Sequence, residues 1–280
     1  MFHRTINSEI SCRGIGVFSG KLINVRLCPA DCGKGIYFIR DDVNRDNVIN
    51  VNNRSEFITD KFNNTISNGI NEVMVIEHLL SALWYFKITD IEIHIDANEL
   101  PMLDGSSGFW VMAIMSVGVK DYDKKKPKKK VVNELKYEED DLSIYVKPND
   151  FLKITYEIDY DVKTIGNDKF TFDETKDDYL TEISLARTFC IDSHVEAHRK
   201  LKKNFNNSDM IIFSDNGFIV GDNKLRYKNE PIRHKILDLI GDIISTGEYI
   251  CGEFICRKSG HSSNRKILNL MQDNLIDLNE

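Results

Sequence analysis

What the sequence lacks narrows it first. It has no run of about twenty apolar residues, the length that a membrane-spanning helix needs. The longest apolar stretch, residues 109–119, is interrupted by Ser116, so no stable membrane insertion is expected. Positive charge is not in excess: Lys+Arg is 37 against 44 Asp+Glu in 280 residues, a formal net charge of −7. A general nucleic-acid binder needs clustered cations against phosphates, so no nucleic acid is expected as a partner. The opening residues MFHRTINSEI carry no apolar h-region, and no secretory signal is read there. The six cysteines include no CxxC pair. They read as reduced thiols of a cytoplasmic protein, not as a disulfide framework. A glycine-rich phosphate loop is missing too, because GIG at 14–16 has neither a third glycine nor a following helix.

What is present suffices for a folded chain. Hydrophobic residues make up 41%, ample for a buried core. The sharpest break in composition is KDYDKKKPKKK at residues 120–130, with six lysines in its last seven positions. It reads as a solvated linker, its Lys-rich part 123–130, between a first domain at 1–122 and a second at 131–280. KLINVRL alternates at strand period and GIYFIRDD follows it. Val73, Ile76, Leu80 and Leu83 fall at helical spacing and predict a helix over 72–86. A strand at IEIHID, a turn at LPMLDGSSG and a helix over 109–117 complete the first half. The second half repeats the plan, with strands at LSIYVKP and FLKITYEID, a helix over 232–246, a strand at YICGEFICRK and a short helix from Ser263. The fold class read from this is α+β, duplicated in architecture.

The chemistry concentrates in RHKILDLIGD, residues 233–242. His234 and Asp238 stand one helical turn apart on one face, with Asp242 a turn further. An imidazole and a carboxylate so placed can share one Zn²⁺, and a catalytic site wants three protein ligands and an open position. A surface ion pair at i,i+4 is the plainer reading of HxxxD alone. Ile236, Leu237, Ile240 and Ile243 argue against it, because polar groups on an apolar helix need partners. Glu77 and His78 adjoin in IEHLLSAL, about 100° apart on a helix. One could bind metal while the other addresses its bound water. Alone, the pair reads equally as an ordinary helix start with an acid at the positive end. His261 stands in a strand-to-helix turn, KSGHSSN, which could as well be only a capping loop. His94 alternates with isoleucines and reads as a strand residue at the solvent side. His194 and His198, four apart among charged residues, read as an exposed helix face.

EHLLSAL, LPMLDGSSG, ARTF, RHKILDLIGD and KSGH, in this order and spacing, resemble the zinc-dependent UDP-3-O-acyl-N-acetylglucosamine deacetylase family of lipid A biosynthesis. The resemblance implies two α+β domains of similar topology, each a sheet layered against helices, with the active site between them. It implies Zn²⁺ on His78, His234 and Asp238, Glu77 as general base, and His261 as the cation that stabilises the oxyanion and protonates the leaving amine. Asp242 would orient His261, Thr188 would donate to the oxyanion, and Lys235 and Lys258 would meet the phosphate-bearing substrate. Asp104 would be either a supporting residue or a turn former. The implied partner is a small molecule, an acylated UDP-amino sugar, handled by a monomer. Phe18 stands where the family usually has histidine, Cys190 where ARTF is usually followed by glycine, and HRKLKKNFNNSD is shorter than the usual acyl-housing segment. An amidohydrolase on a different acylated amino sugar, or a zinc-retaining but silent binding protein, are the competing expectations.

Overall fold

The structure, a computed structural model, describes residues 1–52, 55–59, 63–191, 210–214, 217–218 and 224–278. The first half opens with β1 (Phe2–Ile6), β2 (Ile10–Ile15), β3 (Leu22–Pro29), β4 (Ile36–Arg40) and β5 (Val48–Asn50). There follow β6 (Glu56–Thr59), β7 (Asn64–Ser67), β8 (Glu72–Met74), α1 (Glu77–Phe86), β9 (Ile91–Ile95), α2 (Gly108–Val117) and β10 (Val119–Lys125). Its main sheet runs β2-β3-β9-β4-β5, with β6-β7-β8 and β1-β10 as smaller sheets. The alternation in KLINVRL is realised on β3: Ile23, Val25 and Leu27 are buried, while Leu22, Asn24 and Arg26 face out. On β9, Ile91, Ile93 and Ile95 are buried in the same way.

The second half contributes β11 (Lys128–Val131), β12 (Leu135–Glu139), β13 (Leu142–Lys147), β14 (Leu152–Asp159), β15 (Asn167–Asp173) and the one-turn α3 (Tyr179–Glu182). Then come β16 (Phe189–Ile191), β17 (Ile211–Ser214), β18 (Gly217–Phe218), α4 (Glu230–Ile244), β19 (Ile250–Arg257), α5 (His261–Met271) and β20 (Leu275–Leu278). Its main sheet runs β12-β13-β19-β11-β20, with β14 joined to β19 and β15 to β14. The class is α+β, as expected, with sheet laid against helix in each half. Among the described residues no sheet contains strands of both halves. The halves meet through α1 and α4, which pack against each other, and one apolar cluster continues across that contact.

Two expectations need correction. Residues 72–74 form a strand, not the first turn of a helix, because Val73 pairs with Ile66 and Glu72 with Ser67. Val75 then takes a left-handed φ of 62°, and α1 starts only at Glu77. The spacing of 73 and 76 fits the helical period alone, and the β7 partner overrides it. The lysine run is no free linker either. Lys120 and Lys125 pair with β1, and Lys128–Val131 pairs with β20 and β19. Available sheet edges outweigh the poor strand preference of lysine. Only Lys126 and Pro127 lie between the two sheets. Lys126 donates its backbone N–H to Met1 O at 2.9 Å and its ammonium to Gly247 O at 3.0 Å.

Both central helices are buried along nearly their whole length. Burial of Ile236, Leu237, Ile240 and Ile243, all 0% exposed, contributes roughly 1.5–3 kcal/mol each. The crossing point is Gly241. A Cβ there would lie 2.2 Å from Glu77 O, 2.8 Å from its C and 2.9 Å from its Cα. Glycine lets α4 touch the backbone of α1 at the residue where α1 begins.

Candidate metal centre and active site

Six of the sequence-predicted residues converge at that crossing. Glu77 and His78 are the first two residues of α1. His234, Asp238 and Asp242 descend one face of α4, and His261 opens α5 after the extended Gly260. All six are at most 4% exposed. The Ser107 hydroxyl donates to His78 O at 2.7 Å and ties α2 to the first turn of α1.

Three of the six can hold a metal ion. One donor atom from each of His78, His234 and Asp238 lies within 4.8 Å of the others. Asp238 Oδ1 is 3.2 Å from His234 Nε2 and 3.9 Å from His78 Nε2. His234 Nδ1 meets Ala186 O at 3.0 Å. That acceptor fixes the proton on Nδ1 and leaves the Nε2 lone pair for a metal. Asp238 Oδ1 is buried and accepts no hydrogen bond, a cost that a cation would relieve. Burial pushes His78 down to about 3 and lowers His234 as well, so both imidazoles are neutral at neutral pH, the form that can bind a metal. Burial alone would raise Asp238, but the positive surroundings of His234, His261 and Lys235 hold its carboxyl below the usual carboxylate range. With His234 neutral, His261 and Lys235 are the cations responsible. The donor set fits zinc: two imidazoles and one carboxylate, with the fourth position of a tetrahedron left open.

Beside the trio stands an acid–base pair. Asp242 takes His261 Nδ1 at 2.9 Å from each of its oxygens. Its remaining capacity is filled by Asn64 Nδ2 at 2.9 Å and Asn264 Nδ2 at 2.8 Å. Burial would lower His261, but Asp242 against its ring lifts it to about 10, so the imidazolium persists. Burial pushes the Glu77 carboxyl up to about 8, against the pull of His261. Glu77 Oε1 and Asp238 Oδ2 both lie 3.8 Å from His261 Nε2, and Glu77 Oε2 accepts from Asn64 N at 3.2 Å.

Of the remaining predicted residues, Lys235 touches the trio and the others are held by partners of their own. Lys235 Nζ reaches Asp238 Oδ2 at 3.5 Å. Burial would lower its pKa, but Asp238 raises it, so the ammonium stands charged beside the trio. Thr188 is half-buried. Its backbone is fixed, with N–H donating to Gly105 O at 2.6 Å and O accepting from Ile211 N at 2.9 Å. Lys258 is held by Asp141 and Asp159, each at 2.7 Å. Asp104 accepts from Ser106 N at 3.1 Å and from Arg226 Nη1 at 2.8 Å, so it is a turn former and an ion-pair partner. Phe18 and Cys190 pack on one small apolar cluster of Val17, Val75, Met102, Met210 and Ile212. His94 lies on the sheet face, 3.0 Å from Asp41 Oδ1. His194, His198 and the HRKLKKNFNNSD segment lie outside the described residues.

Sequence reasoning missed Asn64, Asn264 and Gly241. A glycine beside Asp242 in the apolar middle of a helix was the available signal for Gly241. Nothing local marks either asparagine. A cavity of about 560 Å³, lined by Trp84, Phe172, Tyr179 and Lys128 among others, opens by the far end of α1, away from Glu77 and His78 in its first turn.

An α+β scaffold that gathers a metal-capable trio, a buried carboxyl and a charged histidine at one point has the equipment of a hydrolase. The chain belongs to the LpxC family, UDP-3-O-acyl N-acetylglycosamine deacetylase, whose model matches residues 3–273. It is 36% identical over 271 residues to the UDP-3-O-acyl-N-acetylglucosamine deacetylase of Thermodesulfovibrio yellowstonii, covering 95% of this chain and 90% of that protein. It is 34% identical over 274 residues to the enzyme of the same name from Coxiella burnetii, covering 95% and 88% respectively.

Proposed function

We propose that the chain removes the N-acetyl group of UDP-3-O-acyl-N-acetylglucosamine by hydrolysis, releasing acetate, in an early step of lipid A biosynthesis. The convergence of Glu77, His78, His234, Asp238, Asp242 and His261 from both halves at one buried point carries this reading. His78, His234 and Asp238 would hold Zn²⁺, which would polarise the amide carbonyl and acidify a water towards about pKa 7. Glu77, once ionised, as the charges of His261 and of Zn²⁺ would favour against its burial, takes the proton of the attacking water, with its Oε1 turned towards His261. His261, kept protonated by Asp242, stabilises the developing oxyanion and passes its Nε2 proton to the departing amine. Thr188 supplies a further donor to the oxyanion. A single such donor contributes about 3–4 kcal/mol.

Lys235 and Lys258 would meet the diphosphate. Lys235→Ala is expected to weaken substrate binding about tenfold or more, as for loss of a charge-assisted contact. The loss should shrink on an acylated N-acetylglucosamine lacking the diphosphate, and an equal loss on both substrates would mark Lys235 as structural.

The division into residues 1–122 and 131–280 would fall at Lys126–Pro127. The protein would work as a cytoplasmic monomer on this small molecule, with no nucleic acid as partner. None of its described helices is long and apolar enough to cross a membrane. The deciding experiment is acetate release from the UDP-linked substrate, before and after chelation and with zinc restored. His234→Ala should lose both metal and activity. Full activity after chelation, or stoichiometric metal on His234→Ala, would overturn the assignment. Phe18 and Cys190 on one apolar cluster favour a second reading, an amidohydrolase on a differently acylated amino sugar. A panel varying the acyl group separates the two. A silent binding protein would close its metal site with a fourth ligand, and the described residues bring only three together.

A further inference from the structure

Four consecutive residues outside the trio are each fastened to a different partner. Leu185 O accepts from Arg226 Nη1 at 3.0 Å. Ala186 O accepts from His234 Nδ1 at 3.0 Å. Arg187 N donates to Glu230 Oε1 at 2.9 Å, and Thr188 N donates to Gly105 O at 2.6 Å. The group that orients the His234 ring is thus a backbone carbonyl on a short irregular segment. A carbonyl there is only as well placed as the segment that carries it.

Glu230 is what holds the segment. It is the first residue of α4 and is 0% exposed. Its carboxylate accepts from Arg187 N, from Arg187 Nε at 2.8 Å, from Arg187 Nη2 at 3.2 Å and from Arg226 N at 2.7 Å. Arg226 carries the chain of contacts onward to Asp104 Oδ2 at 2.8 Å in the first half. A carboxylate at the positive end of a helix is favourably placed, and bidentate guanidinium contacts fix direction as well as distance. Glu230 and His234 are one turn apart on α4, so one rigid helix carries both the anchor and the ligand it orients.

We infer that Glu230, through Arg187, is a positioning residue: it sets Ala186 O against His234 Nδ1 and so fixes the orientation of that metal ligand. This rests on the zinc assignment proposed above. Outer partners of metal-ligating histidines are worth about 10–100-fold in metal affinity or activity. Glu230→Gln keeps the shape but loses the bidentate acceptor, and Arg187→Lys keeps the charge but loses the fork. In both full-length variants zinc affinity, measured by competition with a chelator of known affinity, should fall about 10–100-fold. At saturating zinc, kcat should fall while KM stays within about threefold. Arg187→Lys should lose less than Glu230→Gln, and it decides the matter if Glu230→Gln does not fold. Zinc affinity and kcat within twofold of wild type in a folded variant, whatever its Tm, would overturn the inference and leave Glu230 a helix anchor. An equal rise in KM would also overturn it. His234→Ala is the reference: if it binds zinc like wild type, the metal assignment itself has failed.

Discussion

Replacing His261 by alanine is expected to slow deacetylation about 10²–10⁴-fold, the range for a positioned acid–base group, while the bound metal stays. His261 stands outside the donor trio, and its Nδ1 is committed to Asp242. Loss of His261 should therefore remove the proton donor and leave His78, His234 and Asp238 intact. The pH profile gives a second check, with its sign set by Asp242. In the proposed role His261 acts protonated, and the adjacent Asp242 carboxylate lifts its pKa to about 10 against the effect of burial. Activity should decline as pH rises through the alkaline limb. Asp242→Asn removes the favourable charge, so the imidazole loses its proton at lower pH and the limb moves down. Metal loss on His261→Ala, or an alkaline limb unmoved by Asp242→Asn, would remove His261 from this role.

Gly241→Ala should destabilise the protein and impair the site, although the same change in most helices stabilises. Exchange of a mid-helix glycine for alanine ordinarily gains up to about 1 kcal/mol. Here the added methyl would meet Glu77 backbone atoms at 2.2, 2.8 and 2.9 Å. Overpacking of a fixed neighbour costs about 1–3 kcal/mol, so the clash outweighs the propensity. The atoms that must yield belong to the residue that starts α1, so Glu77 and His78 shift relative to His234 and Asp238. Thermal unfolding should come at lower temperature, and both zinc affinity and kcat should fall, with Gly241→Val worse than Gly241→Ala. A variant as stable as wild type, with unchanged zinc affinity, would show that the helices can separate at this point without cost.

The reactive groups were legible because their information is local. HxxxD places His234 and Asp238 on one face whatever surrounds the helix, and an apolar helix around polar residues already demands partners. Strand alternation in KLINVRL and IEIHID is equally local, and both strands formed where their period put them. What stayed hidden depends on meetings between distant segments. Asn64 and Asn264 saturate Asp242 from elements 200 positions apart in sequence (64 and 264), and Arg187 finds Glu230 across residues that no periodicity links. The same reason explains the two misread segments. Val73 had a strand partner in Ile66 that its helical spacing could not reveal. The lysine run had waiting edges in β1 and β20, which its composition could not announce.

The crossover at Lys126–Pro127 bears on how the two halves can part. Two extended residues span at most about 7 Å. Proline fixes its own φ and restricts the residue before it, so this tether is short and stiff. Lys126 is also stitched to both sides, by its N–H to Met1 and by its ammonium to Gly247. A bulky ligand wedged between α1 and α4 could not draw the halves straight apart. It would have to swing one about this edge, as a door swings on its jamb. The rim opposite the jamb would then travel furthest, and residues near Lys126 would scarcely move.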